Sequence, residues 1–375
     1  MLNLLIAVVL TALVFEYING FHDTANSIAT VVATKVLAPM QAVALAATTN
    51  LIGALWGTAV AKTIASGLID QSVVEVTSQL IICALAGGIT WNLATWYLGL
   101  PSSSSHALIG GLCGAAVASA HGHWGAVIWS QPTDPWYKGA GVLWKVVVPM
   151  FTSPLLGFTA GFLLMGLLFA LFWAMSRIGG LLQRLARPRW VNAFFGKAQL
   201  ASAAYMGLAH GLNDAQKTMG IIALALVSAQ QAGTLDTLPA WLAWLRPSEA
   251  AMVQGDIDTW IKITCALTMA AGTAVGGWRI IKTLGHKIVR LHPIHGFAAE
   301  TSAATVITIA SSFGIPVSTT HNISAAILGV GAAKRFSAIK WTVVERMLWA
   351  WILTIPAAGG IAFGLFELLR AFGLT

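Results

Sequence analysis

The sequence predicts an all-α polytopic membrane protein, an inverted-topology repeat with broken helices and two helical hairpins. Of its 375 residues, 57% are hydrophobic and 9% are charged, where a soluble domain has roughly 25% charged residues. Segments such as 146–175 and 351–369 have no polar face to turn toward water. An acidic motif and a polar tip behind a proline each occur twice, in the same order. A large soluble chain with several buried helices is therefore excluded.

The first transmembrane repeat is predicted over residues 1–175. Its first apolar segment contains Gly20, which is expected to break the helix inside the membrane. Two apolar stretches around a polar tip are expected to form a hairpin. In chain order the predicted elements are a broken helix, a span, the hairpin and a long last span, at 4–35, 39–62, 76–120 and 142–175.

A basic stretch at 176–197 separates the two halves. It holds five basic residues and no acid: Arg177, Arg184, Arg187, Arg189 and Lys197. This pattern predicts a cytoplasmic linker. The second repeat, over 198–375, has the same plan, with Gly211 as its helix break. Its elements are predicted at 198–230, 260–278, 297–332 and 341–369.

The distribution of charge predicts the orientation. The net charge is +8, but the basic residues lie between apolar runs, so they indicate positive-inside topology and no nucleic-acid partner. Each half then has three crossings and one hairpin that returns to its own side. An odd number of crossings gives the halves opposite orientations and places both termini outside. The three cysteines lie far apart in apolar segments, so neither a metal site nor a cofactor is predicted.

Two intramembrane acids predict a binding site at the interface between the repeats. Asp23 and Asp214 follow a glycine by three residues in matching contexts. An acid costs about 2.5 to 3.5 kcal/mol at the centre of a membrane helix, so neither is expected without a function. Three residues further on stand Asn26 and Lys217. A structural ion pair between Asp214 and Lys217 is the alternative, but it leaves Asp23 without an explanation.

The hairpin tips predict the donors for an anion. Each tip has a proline, Pro101 or Pro316, which can begin a helix whose first N–H groups and hydroxyls are free to donate. The predicted donors are Ser103, Ser104, Ser105, Ser318, Thr319 and Thr320. Helix capping is the alternative interpretation of these hydroxyls.

A cation is required beside the two carboxylates, because they would otherwise repel an anion. A proton, Na⁺ or the ammonium group of Lys217 would serve. Asp23, Asp214 and a third intramembrane acid, Glu300, are the predicted coupling-ion residues, while Glu16 fits either such a role or helix packing. The histidines beside the motifs are expected to stabilise the tips by hydrogen bonds. The absence of a Walker motif, a nucleophile elbow and a dinucleotide fingerprint excludes an ATP-driven pump and an enzyme.

These motifs resemble the inorganic phosphate transporter family. The runs Glu16–Asn26 and Ala209–Gly220 match its duplicated Gly-x-Asn-Asp-x-x-Asn signature, and the tips at 101–106 and 316–321 match its Pro-x-Ser-(Ser/Thr)-(Ser/Thr)-His pattern. The resemblance implies a multi-pass protein of the cell inner membrane that imports inorganic phosphate with H⁺ or Na⁺, often as a homodimer. It assigns Asp23, Asn26, Asp214 and the hairpin hydroxyls to the site.

Two residues depart from the family signature. His22 stands where the signature has asparagine, and Lys217 stands where the second signature of Na⁺-coupled relatives has asparagine. The lysine form is similar to the bacterial low-affinity branch, which is proton-coupled and accepts metal-phosphate complexes. Proton symport is therefore expected over Na⁺ symport. The motifs would also suit a sulfate permease of the same fold, and a non-transporting membrane receptor or scaffold is a different class of protein that they leave open.

Overall fold

The computed structural model describes residues 2–66, 68–131, 139–236 and 238–374, and these form fourteen α-helices joined by turns and loops. The helices of the first half, including one short linker helix, are α1 (Leu2–Ala33), α2 (Pro39–Ala54), α3 (Ala59–Ser66), α4 (Ser78–Leu98), α5 (Ser104–Ser119), α6 (Val148–Ile178) and α7 (Gly180–Leu185). Those of the second half are α8 (Pro188–Gln231), α9 (Glu249–Gln254), α10 (Thr259–Val275), α11 (Trp278–Lys282), α12 (Pro293–Ser312), α13 (Thr319–Lys334) and α14 (Trp341–Ala371).

Several helices are long and apolar enough to cross a membrane. Four meet this description on their own: α1, α4, α6 with the turn before it, and α14. The pair α2 and α3, bent by 69° at a short break, makes a fifth candidate span. On α6, Phe151, Leu163 and Trp173 are each more than 60% exposed, as expected of side chains in contact with hydrocarbon. The prediction of an all-α polytopic membrane protein is confirmed.

Both predicted hairpins are present, as α4 with α5 and α12 with α13. Each first helix ends at a glycine in the left-handed conformation, Gly99 with φ 66° and Gly314 with φ 67°, which a side chain would disfavour. A threonine of the other half donates to each glycine carbonyl, Thr283 to Gly99 at 2.9 Å and Thr63 to Gly314 at 2.7 Å. The two tips are therefore held by the same contact, exchanged between the halves.

The helix breaks predicted at Gly20 and Gly211 were wrong, because α1 and α8 run without interruption through both glycines. These glycines instead allow close helix packing. A methyl group on Gly20 would lie 2.4 Å from the carbonyl oxygen of Met269, and one on Gly211 would lie 2.2 Å from that of Asn50. The breaks fall in the partner helices, at 55–58 between α2 and α3 and at 276–277 between α10 and α11. Glycine lowers helix propensity by about 1 kcal/mol, which this packing offsets.

The last long helix of each half packs on the hairpin of the other half. Helix α6 lies against α13, where Gly161 approaches the carbonyl oxygen of Ala326, and α14 lies against α5, where Gly114 approaches that of Gly359. Helices α1 and α8 pack on each other and on α10 and α2 respectively. This arrangement brings both tips against the acid-bearing segments of α1 and α8.

Candidate functional site

The first hydroxyl of each tip caps a helix. Ser103 precedes α5 and Ser318 precedes α13, both with extended backbone. Each Oγ accepts the backbone N–H three residues on, from His106 and His321, at 3.2 Å. Helix capping thus accounts for these two side chains. The two hydroxyls that follow each cap lie in the first turn of the helix and make other contacts.

The second hydroxyl of each tip contacts the acid of its own half. Ser104 Oγ donates to Asp23 Oδ2, and Thr319 Oγ1 donates to Asp214 Oδ2 at 2.8 Å. Asp23 is 2% exposed and Asp214 is 1% exposed. Since a buried carboxylate needs donors to remain charged, these hydroxyls stabilise both acids.

The third hydroxyl of each tip contacts the other half. Lys217 Nζ donates to Ser105 Oγ. At the corresponding place, Asn26 Nδ2 donates to Thr320 Oγ1 at 2.9 Å and also lies 3.1 Å from Thr319 Oγ1. Because these contacts join α8 to the first tip and α1 to the second, the site is completed only when the two halves meet.

Lys217 is the cationic side chain of this cluster. Its Nζ forms an ion pair with Asp214 Oδ1 and donates to the carbonyl oxygen of Val317 at 3.0 Å. The side chain is 3% exposed. The ion pair considered from the sequence is therefore present, but the same ammonium group also reaches Ser105 of the opposite tip, so it belongs to the cluster of predicted site residues.

His22, which stands where the family signature has asparagine, contacts the acid that follows it as an asparagine does in the second half. His22 Nδ1 lies 2.7 Å from Asp23 Oδ1, and in the second half Asn213 Nδ2 donates to Asp214 Oδ1 at 2.8 Å. Both side chains offer an N–H to the acid that follows them in sequence. His22 also contacts Thr95 through Nε2 at 3.2 Å, which fixes its ring between α1 and α4.

Three of these side chains have ligand atoms close enough to share one cation. The ligand atoms of Asp23, His210 and Asp214 all lie within 4.8 Å of one another and all three residues are buried. His210 Nε2 is 3.0 Å from Asp214 Oδ2. Two carboxylates this close favour a proton or a metal cation between them. The sequence singled out the acids but did not assign His210 to this group.

Glu300 lies apart from the tips, in a polar group that the sequence did not predict. Its Oε1 accepts from Thr30 and, at 3.3 Å, from Gln199, while Oε2 accepts from Ser202. These donors come from α1 and α8. One sequence signal could have found part of this group, because polar residues of α1 recur at helical spacing along one face: Glu16, Asn19, Asp23, Asn26 and Thr30.

The histidines of the two tips meet by ring contact. His106 and His321 lie edge to face with ring centroids 4.8 Å apart, and His321 stacks on Trp351 at 4.0 Å. Trp351 in turn donates to the carbonyl oxygen of Pro101 at 2.9 Å. These two histidines join the tips through aromatic packing, and among the described residues the predicted tip-stabilising hydrogen bonds are not made by Nδ1 of His106 or by the ring of His321.

Sequence comparison identifies relatives over almost the whole chain. The profile of the phosphate transporter family matches residues 19–362. A probable low-affinity inorganic phosphate transporter of Mycobacterium bovis is 43% identical over 99% of this chain and 79% of its own length. A protein of Bacillus subtilis with the same description is 40% identical over 98% of this chain and 99% of its own length. Another, of Rhizobium meliloti, is 42% identical over 96% of this chain and 94% of its own length.

One solved structure shares the fold. It is described as the sodium-dependent phosphate transporter, and it superposes with a TM-score of 0.74, covering 98% of this chain and 99% of its own. Its sequence identity is 22%, so the likeness concerns the fold alone. The profile match and the full-length relatives establish that this chain belongs to the phosphate transporter family.

Proposed function

We propose that this protein imports inorganic phosphate, free or as a metal-phosphate complex, by proton symport through alternating access. Residues 1–175 and 198–375 are its two inverted repeats and 176–197 its cytoplasmic linker, in a multi-pass protein of the cell inner membrane that forms a homodimer. The repeated contacts described above, each exchanged between the halves, support this plan. Substrate sites of such transporters lie at the repeat interface.

The hydroxyls of the tips are the proposed phosphate donors. They are Ser104, Ser105, Thr319 and Thr320, all at most 4% exposed. A hydroxyl has one proton to donate. When the hydroxyl donates this proton to a phosphate oxygen, the carboxylate that accepted it before loses its hydrogen bond. Asp23 then needs a replacement for Ser104. A proton bound with the phosphate supplies it, which couples the two fluxes.

The observation that carries the proposal is the position of Lys217. Its ammonium group contacts both Asp214 and Ser105, which lies at the tip of the other half. The same group therefore neutralises one acid and lies beside the hydroxyls proposed to bind the anion. This charge occupies the place of a coupling Na⁺. Asp23 and Glu300 make no contact with a lysine or arginine among the residues that the structure describes, and they are the proposed proton-binding acids.

A sodium-coupled symporter is the second candidate. The close approach of Asp23, His210 and Asp214 would suit a small metal cation as well as a proton, and the solved relative in fold is described as sodium-dependent. A sulfate permease of the same fold would use the same hydroxyl donors. A receptor or scaffold without transport predicts no flux.

Uptake of radiolabelled phosphate into proteoliposomes separates these functions. We expect uptake to follow an imposed pH gradient, to proceed without Na⁺ and to resist competition by sulfate, which stays a dianion where phosphate takes up a proton. Glu300→Gln should lose pH-driven accumulation but retain phosphate exchange, whereas Glu345→Gln, at an exposed acid of α14, should behave as wild type. Dependence on Na⁺ with indifference to pH would assign the protein to the second candidate.

A further inference from the structure

Glu16 is a buried acid that the proposed site leaves unused. It lies on α1 with 0% of its surface exposed. Thr218 of α8 contacts its Oε2, and Asn19 Nδ2 lies 3.5 Å from the same oxygen. Its other oxygen, Oε1, is buried and has no hydrogen-bond partner among the residues that the structure describes.

These surroundings fit a neutral carboxyl group. No ion pair within 4.0 Å involves Glu16 in the described part of the chain. The charged and titratable groups around it are Asp214 and Lys217 on α8 and Cys265 on α10. An ionised carboxylate would leave a charged oxygen without a donor, which is costly in an apolar interior. In the neutral acid, Oε2 is the carbonyl oxygen that accepts from Thr218 and Asn19, and Oε1 carries the proton, so no charged oxygen lacks a donor.

Glu300 has the opposite surroundings. Both of its oxygens receive side-chain donors, from Thr30, Gln199 and Ser202. Three donors spread over both oxygens stabilise a negative charge better than two donors on one oxygen. Glu300 therefore has donors for a charged carboxylate on both oxygens, whereas Glu16 has them on one oxygen only.

The two acids lie on opposite sides of the proposed phosphate site. Glu16 precedes Asp23 by seven residues on α1, and Thr30, the partner of Glu300, follows Asp23 by seven, so each is separated from the site by about 10 Å along the helix axis. Ser104 joins Glu16 to the site, because its Oγ reaches both Asp23 Oδ2 and, at 2.6 Å, the Oδ1 of Asn19. A phosphate that recruits Ser104 therefore also disturbs the contact to Asn19 and, through it, to Glu16.

We propose that Glu16 is a second proton-carrying acid of the transport cycle, on the opposite side of the phosphate site from Glu300. This inference rests on the proposed function. The carboxylate of Glu16 takes a proton from water on the side where the site is open, forming an O–H bond. That bond breaks when α1 and α8 separate at Thr218, and the proton leaves to water on the other side.

Proton stoichiometry tests this role in proteoliposomes with the membrane potential held at zero. One proton fewer per phosphate lowers the accumulation ratio about tenfold at an imposed gradient of one pH unit. We expect Glu16→Gln to show this loss while phosphate-phosphate exchange continues, and Glu16→Asp to restore the ratio. Glu345→Gln on α14 is the matched control. An unchanged ratio in Glu16→Gln would overturn the proposal.

Infrared spectroscopy tests the protonation of Glu16 without a transport measurement. It therefore still tests this proposal if the wild-type protein transports no phosphate in liposomes and the proposed function fails. The purified wild-type protein at neutral pH should show the carbonyl stretch of a buried, protonated carboxyl group. This band should be missing from Glu16→Gln and should shift in Glu16→Asp. If wild type and Glu16→Gln show the same absorption in the carbonyl-stretch region of protonated carboxyl groups, Glu16 is ionised and the proposal is wrong.

Discussion

Replacing Lys217 with asparagine should make phosphate binding at the proposed site depend on an added cation. In the structure the ammonium group pairs with Asp214, reaches Ser105 and donates to the carbonyl oxygen of Val317 at 3.0 Å. Asparagine at this position repeats the residue found at Asn26 in the first half. It can donate to Ser105, but it removes the ammonium group that pairs with Asp214 and leaves that acid only its contacts with Asn213, Thr319 and His210.

The magnitude follows from burial. Asp214 is 1% exposed and Lys217 is 3% exposed, and removal of one partner from a buried pair costs about 3 to 5 kcal/mol. If that penalty appears in the phosphate-bound state, the affinity falls by roughly two to four factors of ten. Na⁺ bound between Asp214 and Asp23 would recover part of the loss, so the affinity of Lys217→Asn should rise with Na⁺ concentration.

The assay is phosphate binding to purified protein by isothermal titration calorimetry, in choline and in sodium buffers of equal ionic strength. Lys282→Asn, at an exposed lysine of α11, controls for a general loss of positive charge and should bind as wild type does in both buffers. Equal affinities for Lys217→Asn and wild type in choline would refute the assignment of Lys217 as a built-in cation. A wild-type protein that binds phosphate only in sodium would refute it as well.

Three further results are expected. Ser105→Ala should weaken phosphate binding by about 1 to 3 kcal/mol, the usual effect of removing one donor from a charged partner. Ser103→Ala should instead lower thermal stability, by about 0.5 to 2 kcal/mol for a lost cap. Equal losses of phosphate binding in both variants would contradict the assignment of Ser105 to binding and of Ser103 to capping. Gly211→Ala should reduce the yield of folded protein in detergent, measured by size-exclusion chromatography, because its methyl group would lie 2.2 Å from a backbone oxygen. Gly166→Ala, whose methyl group would have nothing within 4 Å, should not reduce the yield. Equal yields would show that the helix contact at Gly211 can relax. A cysteine introduced at the exposed Leu185 should react with impermeant maleimide only after the membrane is opened, and labelling of intact cells would reverse the predicted orientation.

The hairpins and the candidate site residues that lie together in the structure could be picked out from the sequence because their signals are local. In both tips a proline, a run of hydroxyl residues and a histidine stand close together between two apolar stretches. The duplication of the acidic motif indicated that the two acids share one site, and the structure brings Asp23 and Asp214 close enough to contact one cation.

The helix breaks could not be predicted because a glycine permits two different structures. Glycine weakens a helix and also lets another backbone approach it, and only the partner decides between these outcomes. At Gly20 and Gly211 the partners are the backbones at Met269 and Asn50, more than 150 residues away in the chain. The polar neighbours of Glu300 were missed for the same reason, since Gln199 and Ser202 have no local feature that points to α12.

The crossed contacts at the tips have a consequence for how such a protein could arise by duplication. In a symmetric dimer of one ancestral repeat, the residue that meets the third hydroxyl of each tip would be the same on both sides, so the centre would hold two lysines or two asparagines. Two lysines would carry one more positive charge than the present centre, and two asparagines one fewer. Fusion of the copies into a single chain allows one position to become Lys217 while the other remains Asn26, and this asymmetry is available only to a protein in which the two halves evolve separately.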